Sequence, residues 1–410
     1  MRVCMLAYSF YEDDNRVMRY AEALAQRGDE VDVIGLRKPQ QPRWSFSNGV
    51  RLISIQGRVK NERRQLTYFL RIVLFFIQAF LVLAIRHIRK PYKLVHVHSM
   101  PDFLVFAALF PKWMGAKVIL DIHDLTPELY AAKFSGTTGS LAYKMLCGIE
   151  RASARFAHHV IAPNHLWQEK LLGRSAALPR CSVFMNLPDP SVFEPERRRK
   201  QKSEKCIVLY PGSLQWHQGV DVAVRAFSRV VRQGMNAEFH IYGEGQAKPS
   251  LINLIQELGM QQSIFMHDGV SLRQIADIMK AADIGVVPKR GDTFGNEAFS
   301  TKILEFMACG VPVIAADTKI DLYYFKNDVI TFFKSGSESD LSAHMLQLLT
   351  SQQKRSRQAA AAEELVNRSF NWEKARAKYL ELVDGLIAGH SDTEVHASSC
   401  EAEYTQYAGQ

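Results

Sequence analysis

Residues 291–316 read GDTFGNEAFSTKILEFMACGVPVIAA, and this stretch decides the fold. Ile303, Leu304, Phe306 and Met307 give Thr301–Cys309 an apolar face at helical spacing, so a short helix is predicted there. Gly310 suits a left-handed stop just after it, and Pro312 forbids continuation. Val313, Ile314, Ala315 and Ala316 then form the kind of apolar run that a buried parallel strand carries. Glu297 and Glu305 stand eight positions apart across the loop-to-helix junction. Glu305 lies in a helix otherwise committed to packing, where a carboxylate is unfavourable unless hydrogen-bond donors meet it. Lys302 places a cation in the first turn, which opposes the helix dipole unless an anion sits in front of that terminus. Helix start, ammonium and carboxylate together point to a pocket for a ligand carrying both phosphates and hydroxyls. The plain alternative is that Lys302 pairs with Glu297 or Glu305 on a solvated face.

Outward from this stretch, short apolar runs alternate with helical patterns. Val3–Ala7 reads as a strand, Asn15–Arg27 as an amphipathic helix stopped by Gly28, and Val31–Leu36 as a second strand. Further strands are predicted at 51–55, 94–98, 117–122 and 158–162, then at 206–210, 237–242, 263–267, 283–287 and 312–316. This alternation predicts βαβ units and parallel sheets. At 410 residues the chain exceeds what one core usually serves. The proline- and charge-rich LPDPSVFEPERRRKQKSEK before Cys206 reads as a linker between two such series. The expected domains are 1–190, a linker at 191–205, 206–370, a C-terminal helix at 371–388, and a tail at 389–410 poor in large apolar residues.

Composition excludes several classes. Hydrophobic residues at 47% and charged at 23% describe an ordinary globular protein. The net charge of +9 favours anionic partners, but no recognition motif with interleaved aromatics points to nucleic acid. The six cysteines are scattered singly, without a CxxC or Cys/His cluster, which argues against zinc and against a disulfide scaffold. The run after Met1-Arg2 is too short for a secretory signal, and a reducing cytoplasm is expected.

Taken together, the chain resembles the retaining glycosyltransferases of family 4, which have two Rossmann-like α/β domains facing each other across a cleft (the GT-B fold). The resemblance rests on the Glu-x7-Glu segment and on HVHSMPDFLVF, DIHDLTPE, YPGSLQWHQGVD and ADIGVVP, which occur in the family's order. It implies transfer of a sugar from a nucleotide diphosphate to a polysaccharide or lipid-linked acceptor, with no metal and no further cofactor. Glu305 would accept from the two ribose hydroxyls, which suits a carboxylate with two oxygens. Glu297 would contact the transferred sugar, and Ser300, Thr301 and Lys302 would face the diphosphate. Gly212, Ser213 and Gln218 belong to the loop beside it. From the first domain, His123 would reach the donor sugar, with a plain reading as a hydrogen-bonded histidine at a strand end. Asn15, Arg16 and Asp124 fall on the acceptor side, although Asp124 also suits a turn before Pro127. His96 and His98 share one strand face and read as structural.

The chain departs from the family in one place. The loop after the first strand of the second domain usually carries an arginine and a lysine for the diphosphate, and Ser213 and Gln218 stand there instead. Lys289, Arg290 and Lys302 are the nearest replacements in sequence. The departure keeps two other readings open: a non-catalytic protein that binds nucleotide sugar, and a nucleotide-sugar epimerase on the same fold. A further segment, Tyr68–Ile85, is strongly apolar and flanked by Arg63, Arg64, Arg86, Arg89 and Lys90. Arg71 and Gln78 interrupt it, so it reads as a core helix, as peripheral membrane contact through 68–90, or as both, rather than a span.

Overall fold

The structure, a computed structural model, describes residues 1–58, 65–133, 140–177, 180–195 and 205–389. Arg63 and Arg64, most of the expected linker and the tail beyond residue 389 lie outside the described residues. The chain divides into two compact units, Met1–Asn186 with the last helix, and Leu187–Trp372.

The first unit is built on strands β1 (Arg2–Ala7), β2 (Glu30–Arg37), β3 (Trp44–Ser47), β4 (Val50–Gly57), β5 (Leu94–His98), β6 (Lys117–Asp121), β7 (His159–Ala162) and β8 (Cys181–Val183). Their order in the sheet is β3-β4-β2-β1-β5-β6-β7-β8, and every pairing is parallel except β3 with β4. β3 and β4 form a hairpin whose turn residues Asn48 and Gly49 both have positive φ, 47° and 81°. The helix Trp372–Ala388 belongs to this unit. Its Tyr379 packs against Tyr20, ring centres 4.3 Å apart and planes tilted by 34°, and bonds His96 Nδ1 at 2.9 Å.

The second unit carries β9 (Cys206–Pro211), β10 (Ala237–Tyr242), β11 (Ile264–His267), β12 (Ile284–Val287), β13 (Val313–Ala316) and β14 (Thr331–Phe333). The order is β11-β10-β9-β12-β13-β14, parallel throughout. In both units the strand order reverses beside the first strand, where open parallel sheets leave a crevice at the carboxyl ends of the strands.

The helix read from sequence forms over Thr301–Ala308. It ends as its residues dictate: Gly310 takes φ 69°, its N–H donates to Met307 O, and Val311 N–H donates to Phe306 O, both at 3.0 Å. Phe306 lies against β12 where Gly285 leaves room; a Cβ there would sit 2.5 Å from the ring. This packing fixes the helix rotation and turns Lys302 and Glu305 toward the carboxyl edge of the sheet.

Candidate functional site

At that edge the second unit holds a cavity of about 420 Å³. Pro211 and Gly212 follow β9, Tyr242, Gly243 and Glu244 follow β10, and Gly269 and Val270 follow β11. Thr301, Lys302 and Glu305 close it from the helix, and Ile275 and Met279 supply an apolar wall. The glycines are steric requirements. Gly243 (φ 151°) would place a Cβ 1.8 Å from Gly212 O, and Gly212 (φ 135°) would place one 2.2 Å from Lys302 Cε. Backbone therefore approaches backbone, and the lysine stem crosses where a side chain would stand.

Lys302 is held by few groups. Its Nζ donates to Gln218 Oε1 at 3.2 Å and lies 5.5 Å from the Tyr210 ring centre. Tyr210 in turn donates to Ser213 O at 2.8 Å and Gln218 Oε1 at 3.2 Å. Burial lowers the ammonium's pKa to about 8, with Glu305 partly opposing. Ser300 is buried at the start of the helix and caps nothing; its Oγ has no partner among the described residues. A partly buried cation and the start of a helix thus meet at one end of the cavity, with the unpartnered Ser300 hydroxyl at the residue before that helix, and Glu305 lies one turn further on.

The other two replacement cations are engaged elsewhere. Lys289 is buried, donating to Ala298 O at 2.7 Å and pairing with Asp321 at 2.9 Å. Arg290 pairs with Asp221 at 2.6 Å and stacks on Trp216 at 3.9 Å, pinning the loop that holds Gln218. Neither lines the cavity. Ser213 faces it through neither side chain nor backbone, and Gln218 acts on it through Lys302. Glu297 sits in the loop before the helix, its N–H bonded to Phe294 O at 3.1 Å, and is not part of the cavity wall.

The first unit places one of its charged clusters at the carboxyl ends of β5 and β6. Arg16, in the helix Asn15–Gln26, grips both oxygens of Asp121 at 2.7 Å and donates to Phe184 O at 2.7 Å. Arg16 and Asp121 are both buried, so this is a structural clamp between the first helix and the end of β6, and the acceptor-side role read for Arg16 gives way to it. Asn15 lies on the same turn and is half-buried. His98 Nδ1 and His123 Nε2 both point at Asp121 Oδ2, at 3.0 and 3.2 Å. Burial opposes charge on His123, but Asp121 outweighs it and the pKa is raised; His98, more deeply enclosed, is lowered by burial. Burial raises Asp124 to about 6. His96, His98 and Asp121 are close enough to ligate one metal ion, with ligand atoms within 4.8 Å of one another. Arg16 already occupies both Asp121 oxygens and Tyr379 bonds His96 Nδ1, so the set reads as a hydrogen-bonded ion cluster. Sequence reasoning placed His123 but missed Asp121, the group that holds it.

Residues 14–186 match the family described as Glycosyl transferase 4-like domain, and residues 192–365 match Glycosyl transferases group 1. The chain belongs to the GT-B glycosyltransferases of the family 4 type. A D-inositol 3-phosphate glycosyltransferase of Kineococcus radiotolerans is 25% identical over 73% of this chain and 71% of its own length. Another, from Xylanimonas cellulosilytica, is 27% identical over 43% of this chain and 41% of its own. The chain therefore spans between 41% and 71% of the length of these relatives. Among solved structures, sucrose-phosphate synthase from Thermosynechococcus elongatus superposes with a TM-score of 0.77 at 18% identity, over 95% of this chain and all of that one. Anabaena HepE in complex with UDP-glucose does so at 0.72 and 14% identity, over 94% of this chain and all of that one. At these identities the superpositions report the fold.

Proposed function

We propose that this glycosyltransferase moves a sugar from a nucleotide diphosphate to a polysaccharide or lipid-linked acceptor, with retention of anomeric configuration and without a divalent metal. The observation that carries the reading is the pairing of Lys302 and Glu305 on one helix turn inside a glycine-walled cavity. Glu305 offers two acceptor oxygens to the vicinal hydroxyls of a ribose. Lys302, Ser300 Oγ and the first helical N–H groups offer donors to the diphosphate. As the glycosidic bond lengthens, negative charge grows on the departing phosphate oxygen, where fixed donors in a poorly solvated site stabilise it. That oxygen then takes the acceptor hydroxyl's proton on the face it leaves, so no separate base is required. Glu297 and His123 serve the transferred sugar, and Asp124 and Asn15 the acceptor.

Lys302 also bears on the alternative of a non-catalytic binding protein, whose support was the missing basic pair. An ammonium held by the very glutamine that replaces one of those cations supports the catalytic reading instead. The test is transfer from nucleotide sugars, first screened by thermal shift, with proton NMR of the anomeric signal in early product. An inverted linkage would overturn the mechanism, and binding without transfer or hydrolysis would favour the non-catalytic reading.

A further inference from the structure

The helix Gln65–Arg89 has two apolar faces, of which the unit uses one. Ile72, Phe75, Ala79 and Leu83 are buried, Phe75 meeting Tyr8 edge-on at 5.0 Å. Leu70, Leu74, Ile77, Leu81, Ile85 and Ile88 are 48–69% exposed. Their spacing of three and four places all six within about 80° of helix circumference, one continuous stripe. The segment Asp102–Trp113 packs along the helix, through Phe103 on Phe76 at 5.9 Å and Phe110 on His87 at 6.0 Å, and Trp113 beside it is 80% exposed. Monomeric proteins rarely leave so large an apolar patch bare. We propose that this stripe, with Trp113, docks the protein flat on an anionic lipid bilayer.

Charge selects that occupant. The 25 residues of the helix include no carboxylate. Arg89 stands exposed at one end, and at the other Arg58 lies 5.7 Å over the ring of Tyr68, beside a cavity of about 610 Å³ that it lines with Arg37. Arg37, Arg58 and Arg89 have no ion-pair partner among the described residues, whereas Lys38 nearby is taken by Glu12 and Asp13. Basic groups at both ends of an apolar stripe complement lipid phosphates around acyl chains. A second copy of this chain would bring the same arginines and a net charge of +9 against them. The helix is long and apolar enough to cross a membrane, but a spanning helix would expose the face that now completes the unit's core.

The experiment sediments the 410-residue chain with phosphatidylcholine vesicles, with and without phosphatidylglycerol. Binding is expected to require phosphatidylglycerol and to weaken with salt. Leu74→Glu with Leu81→Glu should lower it by at least about tenfold, since both substitutions place charge in the apolar contact. Arg89→Glu should lower it by about tenfold for the anionic vesicles. In the unsubstituted protein tryptophan emission should shift to the blue on vesicles, and Trp113→Phe should remove most of that shift. This readout keeps the idea testable should the double variant misfold. Absence of vesicle binding, wild-type binding by the folded double variant, dimerisation through this face, or retention in carbonate-washed membranes would each overturn the proposal. Donor affinity should be unchanged in the variants, so failure here and failure of the sugar-transfer reading are separable.

Discussion

Lys302→Met separates function from stability, and the two effects should have opposite signs. In the folded protein the ammonium's pKa falls from 10.5 to about 8, because burial disfavours its charge. The folded value lies below the unfolded one, so the penalty is fully present below pH 8 and fades as pH rises toward 10.5. Taken whole, that fall is about 3 kcal/mol. The side chain is only half-buried, and solvent screening reduces the figure to about 1–2 kcal/mol. The ligand-free methionine variant should therefore be more stable than the unsubstituted protein at pH 7, by a few degrees in melting temperature. Its nucleoside diphosphate affinity should fall tenfold to a hundredfold, or about 1.5–3 kcal/mol, the usual scale for hydrogen bonds to a charged group. The unsubstituted protein should also lose affinity above pH 8, by about tenfold per pH unit, because the protonated amine is the form that binds. Calorimetric titration with uridine diphosphate between pH 7 and 9.5 reads both effects. A flat pH profile, or a variant that keeps the slope, would refute the placement of Lys302 on the phosphates.

Glu305→Ala should weaken nucleotide binding by about 1.5–3 kcal/mol in a folded protein, and unchanged affinity would refute the ribose role. Gly212→Ala should displace the Lys302 stem, since its Cβ would fall 2.2 Å from Cε, and should impair binding more than stability; equal loss of both would argue against the crossing lysine. Arg16→Leu should cost about 3–5 kcal/mol in urea unfolding by leaving Asp121 buried and uncompensated, and Arg16→Leu with Asp121→Leu should recover much of it. Chelator added to a donor titration should leave the affinity unchanged, and loss of binding would sink metal independence.

Most of the parallel strands were legible in the sequence because they are short apolar runs between helical patterns. The helix Thr301–Ala308 was legible because its stop signals are local. β3 escaped, although Ser47-Asn48-Gly49-Val50 between WSFS and RLIS is a hairpin signal; the half-exposed strand simply lacks a long apolar run. β8 and β14, at three residues each, are too short to show a period. The site divides by the same logic. Lys302 and Glu305 were readable as a cation and a carboxylate out of place on a packing helix. Asp121 was not, since DIHDL offers two aspartates and only the pairing of β5 with β6 and the reach of Arg16 single one out. Lys289 and Arg290 misled because closeness in sequence says nothing of Asp321 and Asp221, which hold them.

The departure from the family's basic pair then acquires a physical account. A cation on the loop after β9 and a cation on the first turn of the facing helix can serve the same phosphate, since the Gly212 backbone and the Lys302 stem are in contact there. On the proposed reading the charge is carried by the helix, which has two consequences. The ammonium must cross the Gly212 position, which makes that glycine obligatory. It also sits against a helix N-terminus whose dipole repels it, so the ligand-free site is electrostatically unfavourable. Gln218 relieves this in part by accepting from Nζ at 3.2 Å, as a neutral group can without neutralising the charge. Replacing Gln218 with glutamate should therefore raise the Lys302 pKa, stabilise the ligand-free protein and weaken diphosphate binding through the added negative charge. Replacing it with lysine should bring two ammonium groups together and destabilise the ligand-free protein while leaving diphosphate binding intact or tighter. The paired measurement of melting temperature and affinity decides this: if both variants move the two quantities in the same direction, Gln218 does not tune the lysine and the loop's charge has been lost rather than moved.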